Sequence, residues 1–260
     1  MGGKEIMRDM ITIDLGGHVA LVTGASQGLG AEMARTLGAP GAAVVVNYVA
    51  SAEAAAAVVS DIERVGGRAL AHQADVRDAT EVEAMIARAR RELGPVDIVV
   101  NNAGREQRVA PPFDLTHDDY QGMIDLNLHG VVNTCRAAVP AMRTNHWGRI
   151  VNIATVALDT PAPTFAAYAA SKGAMVAFSR NLALELGPDG ITVNVVAPSW
   201  IATPRADAAP RADLERLIAT TPLGYQGRPE HVAGAVLFYV SPLADFVSGT
   251  YLPVSGAHDL

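Results

Sequence analysis

The chain has 260 residues, 50% of them hydrophobic and 18% charged, which suits one globular domain with a sizeable core. A net charge of −7 and the absence of a Lys/Arg cluster argue against a nucleic-acid or anionic-membrane surface. The single cysteine, Cys135, excludes an internal disulfide; with no secretory h-region and no membrane-length apolar run, a soluble cytoplasmic protein is expected.

Residues 1–14 read as an N-terminal extension ahead of one domain over 15–260. HVALVT (18–23) is a short apolar run ending at the glycine-rich turn GASQGLG, and AEMARTL (31–37) continues at helical spacing. AAVVVN (42–47) predicts a second buried strand, and 51–67 a helix with Ser51 as N-cap and paired glycines as its stop. A third strand follows at 68–73. An amphipathic helix at 79–94 has its apolar stripe at Val82, Met85, Ile86 and Ala89. VDIVVNNAG (96–104) is a fourth strand ending in polar residues and glycine. A long helical stretch over 116–142 opens with Thr116 and Asp119 at capping-box spacing. GRIVNI (148–153) is the fifth strand and runs on to Thr155. Then come a helix at 166–187, a strand at 191–197, a helix at 229–241 with proline first, and a short strand at 250–256. Short strands that each lead into a helix imply crossover connections, hence an α/β domain with a doubly wound parallel sheet and helices on both faces. The Ala- and Pro-rich region 198–222 reads as a long irregular lid over a binding site.

The turn TGASQGLG carries Gly24, Gly28 and Gly30, with Ser26, Gln27 and Leu29 between them, at the junction of the first strand and first helix. Glycine there lets backbone approach a pyrophosphate, and the helix start offers N–H groups and a positive dipole end. At the end of the second strand an acid would bind a ribose 2′-hydroxyl and repel a 2′-phosphate. NYVAS (47–51) has no acid before Glu53, and Asn47, Tyr48 and Ser51 offer hydrogen bonds to a phosphate. NADP(H) is therefore favoured, with NAD(H) as the alternative. Asp75, in ADV, is placed either for an adenine edge or as a helix N-cap or turn residue.

Tyr168 and Lys172 in YAASK share one helix face. An ammonium ~4.5 Å from a phenol, at an effective dielectric near 20, favours the phenolate by about 4 kcal/mol. That moves tyrosine from ~10 toward ~7, where a general acid/base works near neutral pH.

TGASQGLG, NNAG, Asn127 in DLNLHG and YAASK stand in an order and spacing that resemble the short-chain dehydrogenase/reductase family. GRIVNIATVA, ITVNVVAPSWIAT, PLGYQGRPEHVAGAVLFYVS and SGTYLPVSG extend the likeness over about residues 15 to 256, nearest to the 3-oxoacyl-carrier-protein reductase and sugar or alcohol dehydrogenase branches. The resemblance implies a Rossmann-like fold and a ketone/secondary-alcohol oxidoreductase. It makes Tyr168 the acid/base and gives Lys172 the tuning of its pKa and the nicotinamide ribose. Asn127 anchors a water in the proton relay. The family places a serine thirteen residues before the tyrosine, and counting thirteen back from Tyr168 gives Thr155, a hydroxyl for the substrate oxygen.

By the same resemblance Val76, Asn102, Ala103, Gly104, Pro198, Ile201 and Thr203 meet the cofactor, and Asn101 both lines it and stabilises the sheet. Arg105, Gln107, Phe165 and Trp200 are candidates for the substrate wall, just beyond strand ends or before the Tyr168 helix. A homotetramer built on the two long helices and the last strand is expected, acting on a small carbonyl or alcohol. The carrier-docking positions fall on His146 and Asp189, and an acid there argues against an acidic carrier protein. Two other readings stand beside this one: a non-catalytic NADP(H)-binding sensor or scaffold, and a non-redox epimerase or dehydratase.

Overall fold

The structure, a computed structural model, describes residues 12–104, 107–203 and 211–258. Seven strands form one parallel sheet: β1 (Val19–Val22), β2 (Ala43–Tyr48), β3 (Arg68–Gln73), β4 (Ile98–Asn101), β5 (Gly148–Ile153), β6 (Ile191–Pro198) and β7 (Tyr251–Val254). Their order across the sheet is 3-2-1-4-5-6-7. The chain winds outward from β1 to β3, then returns to start β4 on the other side of β1. The crevice beyond the carboxyl ends of β1 and β4 is thus the topological switch point, where ligands of open α/β sheets bind.

The central strands are apolar on both faces because helices cover both. On one face α3 (Ala79–Glu92), α5 (Gly130–Asn145) and α6 (Ala166–Leu186) pack Met85, Met142, Met175 and Leu186 against Leu21, Val99 and Ile150. On the other, α1 (Gly28–Gly38), α2 (Ala52–Arg64) and α8 (Pro229–Val240) pack Leu37, Ile62 and Val236 against Val22, Val100 and Val151. Each such side chain contributes roughly 1.5–3 kcal/mol on burial.

The expected strands and helices are present within a few residues of their expected ends, with three differences. Ser51 stands at the N-cap position of α2, but its side chain makes no capping bond. The helical stretch from 116 is two α-helices, α4 (His117–Ile124) and α5, joined by a π-helical turn over Asp125–His129. The turn falls where Gly130 meets Val76 so closely that a Cβ would lie 2.8 Å from Val76 Cγ2. The lid region is not irregular throughout, since α7 (Arg211–Thr220) lies within it. Its sequence, RADLERLIAT, is rich in Ala, Leu, Arg and Glu, whose helix propensity outweighs the neighbouring prolines. The capping box at α4 is formed: Thr116 Oγ1 accepts the Asp119 N–H at 3.2 Å and Asp119 Oδ2 accepts the Thr116 N–H at 2.8 Å. Among the described residues no helix is long and apolar enough to cross a membrane, and no His/Cys/Asp/Glu group could hold a metal ion.

Candidate active site

The site starts with a clamp. The Thr23 hydroxyl, just past β1, accepts the backbone N–H groups of Asn102 and Ala103, each at 2.9 Å. Asn102 Nδ2 donates back to the carbonyls of Thr23 at 2.9 Å and Gly24 at 3.2 Å. The glycine turn is thereby fixed to the end of β4, and the Asn102 amide nitrogen is committed to that role. Gly24 takes φ +62°, and a Cβ there would lie 2.9 Å from Ala103 Cα. Gly30 is tighter still, with a Cβ only 2.3 Å from the Gly24 carbonyl oxygen. Gly28, at φ +56°, has among the described residues only Thr203 near where its Cβ would stand, at 3.8 Å, so Thr203 lies over the turn.

The N-cap of α1, Gln27, makes no side-chain capping bond, and the first turn has no acid. Its first N–H groups and positive dipole end are thus available to an anion, which is what a dinucleotide pyrophosphate requires. Ser26 and Leu29 flank it half-buried, and Gln27 is exposed.

One expected phosphate ligand is otherwise engaged. Asn47 is 1% exposed; its Oδ1 accepts the Gly24 N–H at 3.1 Å and its Nδ2 donates to the Ala74 carbonyl at 2.9 Å. Its amide ties the glycine turn to the end of β3 and cannot also bind a phosphate. Half-buried Tyr48 and exposed Ser51 remain at that corner. Asp75 lies in the turn between β3 and α3. Its carboxylate accepts the Arg77 N–H at 3.0 Å and pairs with Arg77 Nη2 at 2.5 Å, while the N-cap of α3 is Asp78. Val76 is buried beneath the π-helical turn, in contact with Gly130.

Helix α6 carries half-buried Tyr168 and buried Lys172. Lys172 Nζ donates to the Ile153 carbonyl at 2.6 Å, and no carboxylate pairs with it among the described residues. Burial brings its pKa down to about 8, so the ammonium persists at neutral pH and is lost just above. Thr155 follows β5. Its Oγ1 accepts the Ala157 N–H at 3.2 Å, which fixes the oxygen and leaves the hydroxyl proton to donate elsewhere. Asn127 lies in the π-helical turn, 1% exposed. Its Nδ2 donates to Ser171 Oγ at 2.9 Å, and Ser171 donates to the Tyr168 carbonyl at 2.8 Å. Asn127 Oδ1 has no hydrogen-bond partner among the described residues. A cavity of about 10 Å³, the size of a single water site, is lined by Thr23, Asn101, Asn127, Ile153 and Lys172.

Asn101 performs the sheet half of its expected role. Its Nδ2 donates to Asn152 Oδ1 at 2.7 Å, Thr134 donates to its Oδ1 at 2.6 Å, and Asn152 passes the chain to Ser179 at 2.8 Å. Asn152 in GRIVNI thus serves a satisfied polar network in an apolar core. Cys135 beside it is buried, and burial pushes its thiol up to about 12, an inert group.

Of the substrate-wall candidates, Phe165 is 41% and Trp200 40% exposed, and the Phe165 ring meets Tyr168 edge-on at 6.1 Å. Arg105 lies outside the described residues. Gln107 does not fit a wall role through its amide, because both ends are engaged: Oε1 accepts the Tyr168 N–H at 2.7 Å and Nε2 donates to the Thr164 carbonyl. A largely apolar cavity of about 320 Å³ lies alongside, lined by Pro111, Pro112, Ala157, Pro161, Pro163 and Phe165. Pro198 pairs with Val254 in the sheet, and Ile201 bridges to Gly227. Asp189 accepts from Arg143 Nε at 2.8 Å.

Three residues missed by sequence reasoning complete the site. Thr23 and Ser171 adjoin motifs already singled out, and polar residues beside such motifs are a usable signal. Tyr251 could not be found that way. It comes from β7, and its hydroxyl reaches the Thr155 carbonyl at 2.9 Å and Asp159 Oδ2 at 2.5 Å.

Comparison with known proteins shows the family. The family model described as short chain dehydrogenase matches residues 18–213. The chain is 40% identical over 240 residues to a 3-oxoacyl-[acyl-carrier-protein] reductase of Synechocystis, covering 92% of this chain and 96% of that protein. A solved 7α-hydroxysteroid dehydrogenase complexed with NADH and 7-oxo glycochenodeoxycholic acid superposes with a TM-score of 0.90 at 36% identity, covering 95% of this chain and 96% of that one. A gluconate 5-dehydrogenase of Burkholderia cenocepacia in complex with NADP and tartrate gives 0.88 at 34% identity, covering 95% and 97%. The motif order, the doubly wound sheet and these matches have one reading: the chain belongs to the short-chain dehydrogenase family.

Proposed function

We propose that the protein interconverts a ketone and a secondary alcohol, with Tyr168 as general acid/base. The observation that carries this is buried Lys172, unpaired by any described acid, one turn beyond half-buried Tyr168 on α6 and lining a small cavity with Thr23 and Ala103 of the clamp. An isolated buried ammonium is expensive and needs a use, and lowering a phenol's pKa is the one its neighbour supplies.

In the reductive direction the Thr155 hydroxyl, its oxygen held by the Ala157 N–H, donates to the substrate carbonyl oxygen. Tyr168 gives that oxygen a proton, and the Lys172 ammonium stabilises the phenolate left behind. Asn127 and Ser171 hold the backbone of Tyr168, and Asn127 Oδ1 offers an acceptor to a relay water beside Lys172. The glycine turn and α1 would hold the pyrophosphate, the segment with Thr203 would cap the nicotinamide carboxamide, and Ala103, Gly104, Val76 and Ile201 would line the groove. When bound, a nicotinamide cofactor supplies or accepts the hydride. NADP(H) is favoured over NAD(H) by the lack of an acid at the end of β2, now with Tyr48 and Ser51 rather than Asn47 as phosphate ligands.

The apolar cavity favours a substrate with an uncharged apolar body, in keeping with the oxo-steroid bound by the 7α-hydroxysteroid dehydrogenase. Asp189 argues against carrier-protein docking. A cytoplasmic homotetramer completes the reading. The outer edge of β7 and the exposed side chains of Leu184, Leu243 and Phe246 offer its surfaces.

The test is oxidation of NADPH and of NADH at 340 nm with a panel of 3-oxo and 7-oxo steroids and acetoacetyl thioesters. Turnover by the wild type and a loss on the order of 10³-fold in Tyr168→Phe are expected. A Tyr168→Phe enzyme as fast as wild type overturns the mechanism.

A further inference from the structure

Helix α6 carries Tyr168, yet its own sequence supplies no cap. Phe165 occupies the N-cap position and has no capping side chain. The first N–H groups of a helix have no partner within it, and the third is the one a local Ser, Thr or Asp cap serves. In α6 the third residue is Tyr168. Its N–H donates at 2.7 Å to Gln107 Oε1, from 61 residues earlier in the chain.

The same amide does a second task. Gln107 Nε2 donates to the carbonyl of Thr164, which is held at φ +68°. A β-branched residue in that left-handed region is strained by about 1–3 kcal/mol and persists only where its surroundings impose it. One side chain therefore binds the strained residue just before the helix and the open N–H of its catalytic tyrosine. The next residue ties the loop the other way: Arg108 Nη1 donates to the Asp114 carbonyl at 2.9 Å and to Asp119 Oδ2, in the capping box of α4, at 3.2 Å.

We infer that Gln107 is a positioning residue, a long-range N-cap that sets Tyr168 and couples it to the loop between β4 and α4. That loop also contributes Pro111 and Pro112 to the apolar cavity, so the cap and part of the cavity wall share one segment. The inference rests on the reading of Tyr168 as the acid/base, but the cap itself is readable without substrate.

Gln107→Met keeps the length and removes both bonds, whereas Gln107→Glu keeps the acceptor for Tyr168 and loses the donor to Thr164. Hydrogen–deuterium exchange of the peptide over 165–172, in full-length protein without substrate, should rise about fivefold in Gln107→Met and stay near wild type in Gln107→Glu. With whichever panel ketone turns over, Gln107→Met should lower kcat about tenfold, change KM less than twofold and move the inflection of the pH–rate profile. Gln107→Glu should recover to within about threefold. The double variant Gln107→Met/Thr164→Gly, relieved of backbone strain, should stay slow.

Unchanged exchange in Gln107→Met overturns the inference whatever the enzyme does. So does a rise in KM at constant kcat, which makes Gln107 a substrate contact. Restoration of kcat by Thr164→Gly overturns it as well, because Gln107 then only holds Thr164. A fully active Tyr168→Phe, by contrast, sinks the acid/base reading and leaves the exchange result standing.

Discussion

The two ends of one sheet treat charge in opposite ways. At the amino end every buried charge described is matched. His18 Nδ1 lies 2.8 Å from Asp97 Oδ2, whose other oxygen accepts the Val19 N–H at 2.9 Å. The His18 ring stacks on Trp147 at 4.0 Å, and the Arg149 guanidinium lies over the same indole at 4.4 Å. Arg149 then pairs with Asp245 at 2.7 Å. At the carboxyl end Lys172 is just as buried, but it bonds a carbonyl rather than an acid, and Asn127 Oδ1 has no partner among the described residues. The amino end pairs its buried charges, although Arg149 Nε makes no hydrogen bond among the described residues; the carboxyl end holds an ammonium with no counter-charge, and an unmatched charge is what a reacting group can use.

The largest break in that comparison comes from removing Lys172. Its folded pKa, about 8, lies below the ordinary 10.5, so the folded protein disfavours the charged form. The penalty is full below pH 8 and is relieved between 8 and 10.5, where the unfolded chain binds the proton and the folded one does not. Stability therefore rises with pH in that window, by about 3 kcal/mol from this group. Lys172→Met should abolish turnover and, after the lost bond to Ile153 is set against the gain, be about 2 kcal/mol more stable at pH 7. Urea unfolding at pH 7 and pH 10 checks it: the advantage over wild type should shrink toward zero at the higher pH. A variant less stable at both would mean the ammonium is well accommodated.

The same contrast explains what the sequence could and could not disclose. Strands such as GRIVNI follow from apolar runs, and the parallel sheet from crossover lengths, which are local. The glycine turn and the Tyr168–Lys172 pair are also local, within one turn or one helical step. What escaped depends on long-range closure. Asn47 reads as a phosphate ligand until β3 supplies the Ala74 carbonyl that takes its amide. Gln107 reads as a wall residue until the backbone of α6 arrives at its side chain. Ser51 has the composition of a cap without making the bond, whereas Thr116 has both. The π-helical turn at Asn127 answers to the close packing of Gly130 on Val76, which no helical periodicity encodes.

Thr155 sharpens the carboxyl-end half of the comparison. Its oxygen is held by the Ala157 N–H and its carbonyl by Tyr251, so only the hydroxyl proton is left for chemistry. Thr155→Ala should lower kcat on the order of 100-fold, the worth of one preorganised donor, and cost about 1 kcal/mol of stability through the lost acceptor of the Ala157 N–H. Thr155→Ser should retain activity within a few-fold, because it keeps the hydroxyl and drops only the methyl. Steady-state kinetics on a turned-over ketone reads both, and an Ala variant matching wild type removes this hydroxyl from the reaction.

The smallest effect, and the cleanest control, lies at the amino end. Asp97→Ala leaves the buried Val19 N–H without its acceptor and frees His18 from its carboxylate. A buried donor left unsatisfied costs about 1–3 kcal/mol, so unfolding in urea should come at lower denaturant by roughly 2 kcal/mol. Asp97 sits at the far edge of β1 and β4 from their switch-point ends, and neither strand's register depends on its side chain alone. Turnover by the folded variant should therefore match wild type within twofold. A loss of kcat at full folding would show that strain at the matched end is transmitted along β1 to the glycine turn, and that the two ends are not independent.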